Sequence, residues 1–229
     1  MKQIKGLIFD VDGVIINTEN AHFLAFKKVL KKYGFNLSKE SYKKHFSGRS
    51  IKGGILSLLE EVDLKHDSPL NDFVTQFSKE KIEATIGLFK KNLNFFKDTL
   101  KFINKILSGE RELKKIGYLP KKPVFALSTG LESVLLNEVL KHYDLKNIFP
   151  ITITAEQYTH SKPHPECYNL AVSQMKLLPE QVIGIEDSPS GILALNNAGI
   201  FSVGITTTHT KKDLKEANLV VKKLTNLLL

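Results

Sequence analysis

The chain contains five short apolar runs, and polar residues follow most of them. The apolar runs cover residues 6–9, 124–127, 151–154, 182–185 and 201–205. Runs of this length are typical of buried strands. The segments between the later runs carry apolar residues at helical spacing, for example over 132–142, 166–175 and 190–198. Strands that alternate with helices form a parallel sheet covered on both faces, so the pattern predicts an α/β fold with a doubly wound parallel sheet.

Between residues 17 and 95 the pattern changes to helices alone. Apolar residues recur at helical spacing from His22 to Tyr33, and the following Gly34 is typical of a helix end. Ser68 and Pro69 are predicted to be the N-cap and the first residue of a long helix. The side chains expected to face inward from that helix are Phe73, Phe77, Ala84 and Leu88.

An all-helical block inserted after the first strand predicts two domains. We assign residues 1–16 and 96–229 to a sheet-containing core, and residues 17–95 to an inserted helical cap domain. The hinges should lie near 15–17 and 92–96. Residues 108–123 are polar and punctuated by Gly and Pro, so we interpret them as a helix end followed by an exposed loop.

Composition narrows the class of protein further. The chain has 229 residues, of which 42% are hydrophobic, and this is enough to fill a core. No apolar stretch reaches the roughly 18 residues that would predict a membrane-spanning helix. The first apolar run is too short for a secretory signal. Cys167 is the only cysteine, so an internal disulfide is excluded and a reducing, cytoplasmic location is favoured. The oligomeric state is left open, with a monomer as one option.

The formal net charge of +9 raises the question of an acidic partner. Only two of the 33 basic residues, Arg49 and Arg111, are arginines, whereas proteins that read nucleic acids usually depend on arginine for bidentate contacts. We therefore expect a solvated, lysine-rich surface and no nucleic-acid partner. A positive field would still attract small phosphorylated anions.

Reactive side chains stand where the predicted strands end. The first strand leads into Asp10-Val-Asp12-Gly13, the second into Ser128-Thr129-Gly130, and a later one into Glu186-Asp187-Ser188. The loop after the third run carries Lys162-Pro-His-Pro165. Ligands of open parallel sheets bind beyond the carboxyl ends of the strands, so these segments are predicted to converge on one crevice.

The chemistry of that crevice points to a metal and a phosphate. Carboxylates gathered at one place repel one another unless a cation lies among them, and oxygen ligands suit Mg²⁺. The metal ligands predicted on this ground are Asp10, Asp12, Glu186 and Asp187. Lys162 and the Ser128 hydroxyl could hold phosphate oxygens, and a shielded phosphoryl group can be attacked by a carboxylate. Each motif alone is more often a turn or a helix cap. All four motifs in this order, each at a strand end, rarely occur together by chance, so the set indicates a functional site.

The set Asp10-Val-Asp-Gly-Val14, Ser128, Lys162-Pro-His-Pro165 and Gly184-Ile-Glu-Asp-Ser188 resembles the haloacid dehalogenase superfamily. It is most similar to the branch that contains β-phosphoglucomutase and small-molecule phosphatases. The resemblance implies a Rossmann-like core with a helical cap. It also implies a Mg²⁺-dependent hydrolase that acts on a small phosphorylated metabolite through an aspartyl-phosphate.

The same resemblance implies a role for each matching residue. Asp10 would be the nucleophile and a metal ligand, and Asp12 the general acid and base, with its backbone carbonyl also on the metal. Asp187 would complete the metal site, with Glu186 bound directly or through water. Ser128 and Lys162 would hold phosphate oxygens. Gly13 would allow the turn by which backbone amides approach the phosphate, and Thr129 would offer a backbone donor.

Hydrolysis is favoured over two alternatives. Phosphomutases of the kind that this chain resembles carry an arginine at the position of Ile51. They also carry a Lys-Asn pair at the position of Leu131-Glu132. The Glu132 carboxylate would repel the second phosphate that a mutase must hold. Arg49 could substitute for the arginine, and His22 matches a histidine of such mutases, so both are candidate substrate contacts. The other alternative is a non-catalytic phosphate-binding protein, which the intact set of acids and Lys162 disfavours.

Overall fold

The computed structural model describes residues 4–46, 49–64 and 68–229 of the chain. Its strands are β1 Gly6–Phe9, β2 Ile16–Asn17, β3 Asn94–Phe95, β4 Glu112–Leu113, β5 Gly117–Tyr118, β6 Val124–Ser128, β7 Ile151–Ile153, β8 Val182–Glu186, β9 Phe201–Ile205 and β10 Leu219–Val221. Its α-helices are α1 Glu19–Lys32, α2 Lys39–His45, α3 Ile51–Leu59, α4 Leu70–Lys91, α5 Lys97–Ser108, α6 Ser133–Leu140, α7 Leu145–Ile148, α8 Glu166–Met175 and α9 Pro189–Asn197. Short 3₁₀ helices cover Ala155–Gln157, Pro179–Gln181 and Leu224–Leu227.

Six strands form one parallel sheet in the order β10-β9-β8-β1-β6-β7. The last residue of β1, Phe9, pairs with Leu127 of β6 on one side and with Ile185 of β8 on the other. The strand order therefore reverses at β1, which is where doubly wound sheets bind their ligands. The predicted fold class, an α/β fold with a doubly wound parallel sheet, is confirmed.

The two faces of the sheet pack against different layers. Successive side chains of a strand point to opposite faces. Ile8 lies in a buried cluster with residues of α8 and α9, among them Tyr168 and Leu195. Phe9 points the other way, where its ring lies 5.6 Å from that of Phe149 and 6.5 Å from that of Phe102 in α5. This central strand is thus buried on both faces, which fixes the position of the residues that follow it.

The chain divides into two compact units, Met1–Asn17 with Asn94–Leu229, and Thr18–Leu93. The second unit contains α1 to α4 and has its own aromatic core. The ring of Phe26 lies 4.3 Å from that of Phe46 and 6.1 Å from that of Phe77. Among the described residues, no helix is both long and apolar enough to cross a bilayer.

Two details of the helical unit differ from the predictions. Pro69 is the N-cap of α4 instead of its first residue, and the cap makes no side-chain hydrogen bond. Ala84 and Leu88, expected to face inward, are half-buried. The fully buried stripe continues from Phe73 and Phe77 through Lys81, Thr85 and Phe89, because these residues keep the four-residue spacing along one helix face.

The segment 108–123 is also more ordered than predicted. Helix α5 ends at Gly109, as expected, but the next residues form the antiparallel pair β4–β5. Leu113 and Leu119 are buried, and Lys114 N donates to the Leu227 carbonyl at 2.7 Å. The exposed-loop interpretation is therefore wrong for this part, which packs against the last residues of the chain.

Candidate active site

Three neighbouring strands deliver polar residues to one edge of the sheet. Asp10 directly follows β1, Ser128 ends β6, and Glu186 ends β8. The Asp10 amide continues the sheet by donating to the Ile185 carbonyl at 3.0 Å. All three side chains are buried. The loop before α8 brings Lys162 to the same place, so the four separate segments meet as the sequence predicted.

Lys162 is the cation that joins this group. Its Nζ donates to Asp10 Oδ1 at 2.6 Å, to Glu186 Oε1 at 2.8 Å and to the Ser128 carbonyl at 3.4 Å. It also lies 4.9 Å from the centre of the Tyr168 ring. Burial alone would lower the pKa of Lys162, but the charges of Asp10 and Glu186 outweigh it and raise this pKa well above its usual value. The side chain is therefore a permanent positive charge.

Two acids of the site resist ionisation. Burial, together with the charges of Glu186 and Asp187, raises the pKa of Asp10 well above its usual value, although Lys162 opposes the shift. Burial and then the charges of Glu186 and Asp12 raise the pKa of Asp187 to about 7. Ionisation of both acids beside Glu186 would therefore place more negative charge in the site than Lys162 can balance. A bound cation would relieve this repulsion.

The donor atoms fit a hard divalent cation, since carboxylate and carbonyl oxygens are the ligands that such ions prefer. Within the described ranges, the four acids do not bring three side-chain oxygens within 4.8 Å of one another. We therefore expect a smaller ligand set than four carboxylates. Asp10 and Asp187 would contribute side chains, and Asp12 its backbone carbonyl.

Glu186 is unsuited to a direct bond to the metal, one of the two modes predicted for it, whereas a contact through water stays a prediction. Its Oε1 accepts hydrogen bonds from Lys162 and from the Tyr168 hydroxyl, the latter at 2.7 Å. Its Oε2 accepts from the Asp187 amide, the Ser188 amide and the Ser188 hydroxyl at 2.9–3.1 Å. A carboxylate offers about four lone-pair sites, so these donors fully occupy it. Lys162 and these hydrogen bonds lower the pKa of Glu186 despite its burial, and the residue orients Lys162.

Two glycines let the backbone approach these acids. Gly13 has φ +80°, and a Cβ there would lie 2.0 Å from Asp187 Oδ2. Gly191, in the first turn of α9, would place a Cβ 1.9 Å from Glu186 Cδ. Any side chain at these positions would displace an acid of the site. The turn at Gly13 is closed by its own amide, which donates to the Ile16 carbonyl at 2.8 Å, and it leaves Asp12 half-buried beside Asp187.

Ser128 and Thr129 differ in what they can offer a ligand. Ser128 Oγ is buried and has no hydrogen-bond partner among the described residues, which is costly unless a ligand supplies one. The Thr129 amide already donates to the Ile153 carbonyl at 2.9 Å, and its hydroxyl accepts from the Leu131 amide at 3.1 Å. The expected backbone donor at Thr129 is therefore engaged within the protein. Only the hydroxyl proton of Thr129 remains available to donate to a phosphate oxygen.

Sequence reasoning missed three residues that support the acids. Thr207 donates to the Gly13 carbonyl at 2.5 Å, Thr208 donates to Asp187 Oδ2, and Tyr168 donates to Glu186. Thr207 and Thr208 follow the strand β9, so the rule that located the other strand ends could have found them. Tyr168 lies in the middle of helical periodicity, where no local pattern separates it from a core residue.

The other two predicted substrate contacts, His22 and Arg49, belong to the helical unit. His22 lies on α1 with its ring 6.3 Å from that of Phe89, and burial followed by the Lys81 charge lowers its pKa to about 3. Its Nδ1 is enclosed and has no hydrogen-bond partner among the described residues. Arg49 is exposed. Their contact with substrate stays a prediction.

The arrangement pairs a carboxylate, Asp10, with a fixed ammonium group and with the Ser128 hydroxyl, which lacks a hydrogen-bond partner in the described part of the chain. Such a site can hold an anion beside an oxygen nucleophile. With the strand order reversing at β1, fold and site are those of a Rossmann-like α/β enzyme with an anion-binding crevice at the carboxyl ends of its strands.

Comparison with known proteins identifies the family within that class. Residues 7–205 match the family of haloacid dehalogenase-like hydrolases, and the chain belongs to this family. It is 29% identical to the phosphorylated carbohydrates phosphatase of Thermotoga maritima over 86% of this chain and 82% of that protein. It is 28% identical to the validoxylamine A 7′-phosphate phosphatase of Streptomyces hygroscopicus subsp. limoneus over 96% of this chain and 94% of that protein.

A solved structure agrees with the fold. The β-phosphoglucomutase of Clostridium difficile is 26% identical, with a TM-score of 0.78 over 98% of this chain and 93% of that one. The predicted resemblance is therefore confirmed. So is the enzyme class, a haloacid dehalogenase-like phosphoric monoester hydrolase.

Proposed function

We propose that this protein hydrolyses a small phosphorylated metabolite, of the phosphorylated-sugar class, through an aspartyl-phosphate on Asp10. The observation that carries the proposal is the 2.6 Å contact between Lys162 Nζ and Asp10 Oδ1, beside a Ser128 hydroxyl that has no hydrogen-bond partner within the described ranges. The names of the two phosphatase relatives support the substrate class, because both act on phosphorylated compounds of this kind. A cytoplasmic location, supported by the single buried Cys167, is part of the proposal.

In the first step, a carboxylate oxygen of Asp10 attacks the phosphorus atom of the substrate. The bond from phosphorus to the ester oxygen breaks, and that oxygen takes a proton from the Asp12 carboxyl group and leaves as an alcohol. Lys162 and the Ser128 hydroxyl hold phosphoryl oxygens while charge builds on them. Asp12 suits the acid role because it lies two residues after the nucleophile, directly before the Gly13 turn, and is half-buried.

In the second step, a water molecule attacks the phosphorus of the aspartyl-phosphate and gives its proton to Asp12. The bond between phosphorus and the Asp10 oxygen breaks, so inorganic phosphate leaves and the Asp10 carboxylate is restored. Asp12 regains the proton that it lost in the first step. The same residue therefore acts first as acid and then as base.

Mg²⁺ is the proposed cofactor, held by Asp10, Asp187 and the Asp12 carbonyl, and when bound it would neutralise negative charge on the phosphoryl oxygens. The raised pKa values of Asp10 and Asp187 support this, because burial and then the neighbouring carboxylates disfavour their ionised forms, and a bound cation would favour those forms. Thr208 would keep the Asp187 carboxylate in place through its hydrogen bond to Oδ2.

The helical unit Thr18–Leu93 is proposed to be the cap domain that determines specificity. His22 and Arg49 are its candidate substrate contacts, as predicted from the sequence. The four-helix core built around Phe26 and Phe77 supports an independent unit of this kind.

The test is hydrolysis of an aryl phosphate by Asp10→Asn, with Mg²⁺ and with a chelator. Removal of a nucleophile typically costs a thousandfold or more in kcat, so we expect about that loss or greater. The matched control is Asp72→Asn, which changes an exposed aspartate of α4 and should leave kcat unchanged. Wild-type activity that persists in Asp10→Asn, or that survives full chelation, contradicts the mechanism.

A phosphomutase is the second candidate, because the chain is similar to a β-phosphoglucomutase structure. Glu132, the N-cap of α6, disfavours it by repelling a second phosphate. Phosphorus NMR of hexose phosphates separates the two. Hydrolysis releases inorganic phosphate, whereas a mutase converts one sugar phosphate into another without net release.

A further inference from the structure

The loop that carries Lys162 presents a second cluster of reactive side chains, on its outer side. His160 and His164 flank Lys162 at a distance of two residues, and Glu166 begins α8. The side chains of the two histidines are 65% and 51% exposed, and that of Glu166 is 27% exposed. The proposed mechanism uses none of the three, and the two histidines lie at the surface outside the hydrophobic core.

These three side chains converge on one point. Glu166 Oε2 lies 2.8 Å from His160 Nδ1 and 3.8 Å from His164 Nδ1. The two imidazole rings lie with their centroids 4.6 Å apart. A ligand atom from each residue can be chosen so that all three lie within 4.8 Å of one another. A tetrahedral ion with bonds of about 2.0–2.1 Å needs its ligands about 3.3 Å apart, and the two measured separations bracket that value.

His164 already presents a lone pair to this point. Its Nδ1 accepts a hydrogen bond from the Glu166 amide at 3.3 Å, so the proton of the neutral ring is on Nε2. The bond is long, and a metal ion could replace it at small cost. The Glu166 carboxylate is held in place by the amides of Thr159 and His160 at 3.0 and 2.9 Å, which orients it before any ion binds.

We propose that His160, His164 and Glu166 form a surface site for a divalent transition-metal ion of the Zn²⁺ type. Two imidazoles and one carboxylate are a ligand set that suits Zn²⁺, with the remaining position taken by water. The site differs in chemistry from the acidic one, whose oxygen-only donors suit Mg²⁺. It takes its ligands from a different group of residues, so it does not depend on the proposed catalytic function.

Such an ion would tie both sides of the Lys162 loop to the start of α8. Asn197 Nδ2 already donates to the Pro163 carbonyl at 3.1 Å, which secures the middle of the loop from α9. A cross-link through residues 160, 164 and 166 would add a constraint on the outer side. The expected consequence is a more rigid loop around Lys162 when Zn²⁺ is bound.

The first test is calorimetric titration of the full chain with Zn²⁺ in millimolar Mg²⁺, which competes for the acidic oxygen site but not for the histidine site. The wild type and His142→Ala, which removes an exposed histidine elsewhere, should bind Zn²⁺ alike. His160→Ala and His164→Ala should each weaken binding by about tenfold or more, since even changes behind a ligand cost that much. No binding to the wild type, or equal binding to all four proteins, overturns the proposal.

The second test follows the loop itself and requires no substrate. Addition of Zn²⁺ should slow amide hydrogen exchange in peptides that cover residues 159–166 of the wild type but not of His160→Ala. Replacement of Zn²⁺ by Co²⁺ should give visible absorption bands of nitrogen and oxygen coordination in the wild type alone. Exchange that slows equally in both proteins, or bands that persist in His160→Ala, would show that the ion binds elsewhere.

Discussion

At the scale of single residues, the site depends on how Lys162 is held. Asp10 and Glu186 share its ammonium group at 2.6 and 2.8 Å, and Tyr168 donates to the same Glu186 oxygen that Lys162 contacts. The tyrosine therefore acts on the lysine through the glutamate. Its ring also lies against the ammonium group, so the hydroxyl and the ring make separable contributions.

Tyr168→Phe separates these two contributions, because it removes the hydroxyl and keeps the ring. The lost hydrogen bond to a buried carboxylate is worth about 1.5 kcal/mol, so we expect kcat/KM for an aryl phosphate to fall about tenfold. Tyr118→Phe is the control, since Tyr118 is 58% exposed. If both variants retain the wild-type kcat/KM, Tyr168 does not position Lys162 through Glu186.

Much of the site could be predicted at this scale because its residues follow strands. Asp10, Ser128 and Glu186 each stand at a strand end that an apolar run reveals, and parallel strands bring such ends together. Tyr168 could not be found in this way, because its partner Glu186 lies 18 residues further along the chain. The five hydrogen bonds that Glu186 accepts likewise depend on tertiary packing, which no local sequence pattern shows.

At the scale of elements, the apolar runs and the periodic helices were predictable, whereas several short elements were not. All five apolar runs became strands of the sheet, but β10 was not predicted, although it has three residues, as β7 does. The pair β4–β5 is shorter still, at two residues a strand. It exists because its backbone contacts the C-terminal residues, as in the bond from Leu229 N to the Glu112 carbonyl at 3.2 Å.

The helical unit offers a test of its own core. Phe77 of α4 is fully buried, and its ring lies near those of Phe26, Tyr33 and Phe73. Phe77→Ala should lower the free energy of unfolding by about 3–5 kcal/mol, measured by urea unfolding with circular dichroism. Leu56→Ala, at a position that is 38% exposed, should cost far less. Equal losses in the two variants would contradict the described packing of α4.

At the scale of the whole molecule, charge is distributed unevenly. The chain carries a formal net charge of +9, yet its candidate active site gathers buried carboxylates around Lys162. The lysine-rich surface can attract phosphorylated anions over a distance. In the proposed mechanism, a bound cation would offset the charge of the buried acids as the phosphate approaches Asp10. This combination suits an enzyme that acts on phosphorylated compounds.

The central claim is that Asp10 itself receives the phosphoryl group, and chemical trapping tests it most directly. Enzyme mixed with substrate and Mg²⁺ is quenched in acid during turnover and reduced with borohydride, which converts an aspartyl-phosphate into homoserine. Peptide mass spectrometry then locates the change. We predict homoserine at position 10 and at no other aspartate. Intact Asp10 in an enzyme that is turning over, or homoserine at a different position, would contradict the mechanism.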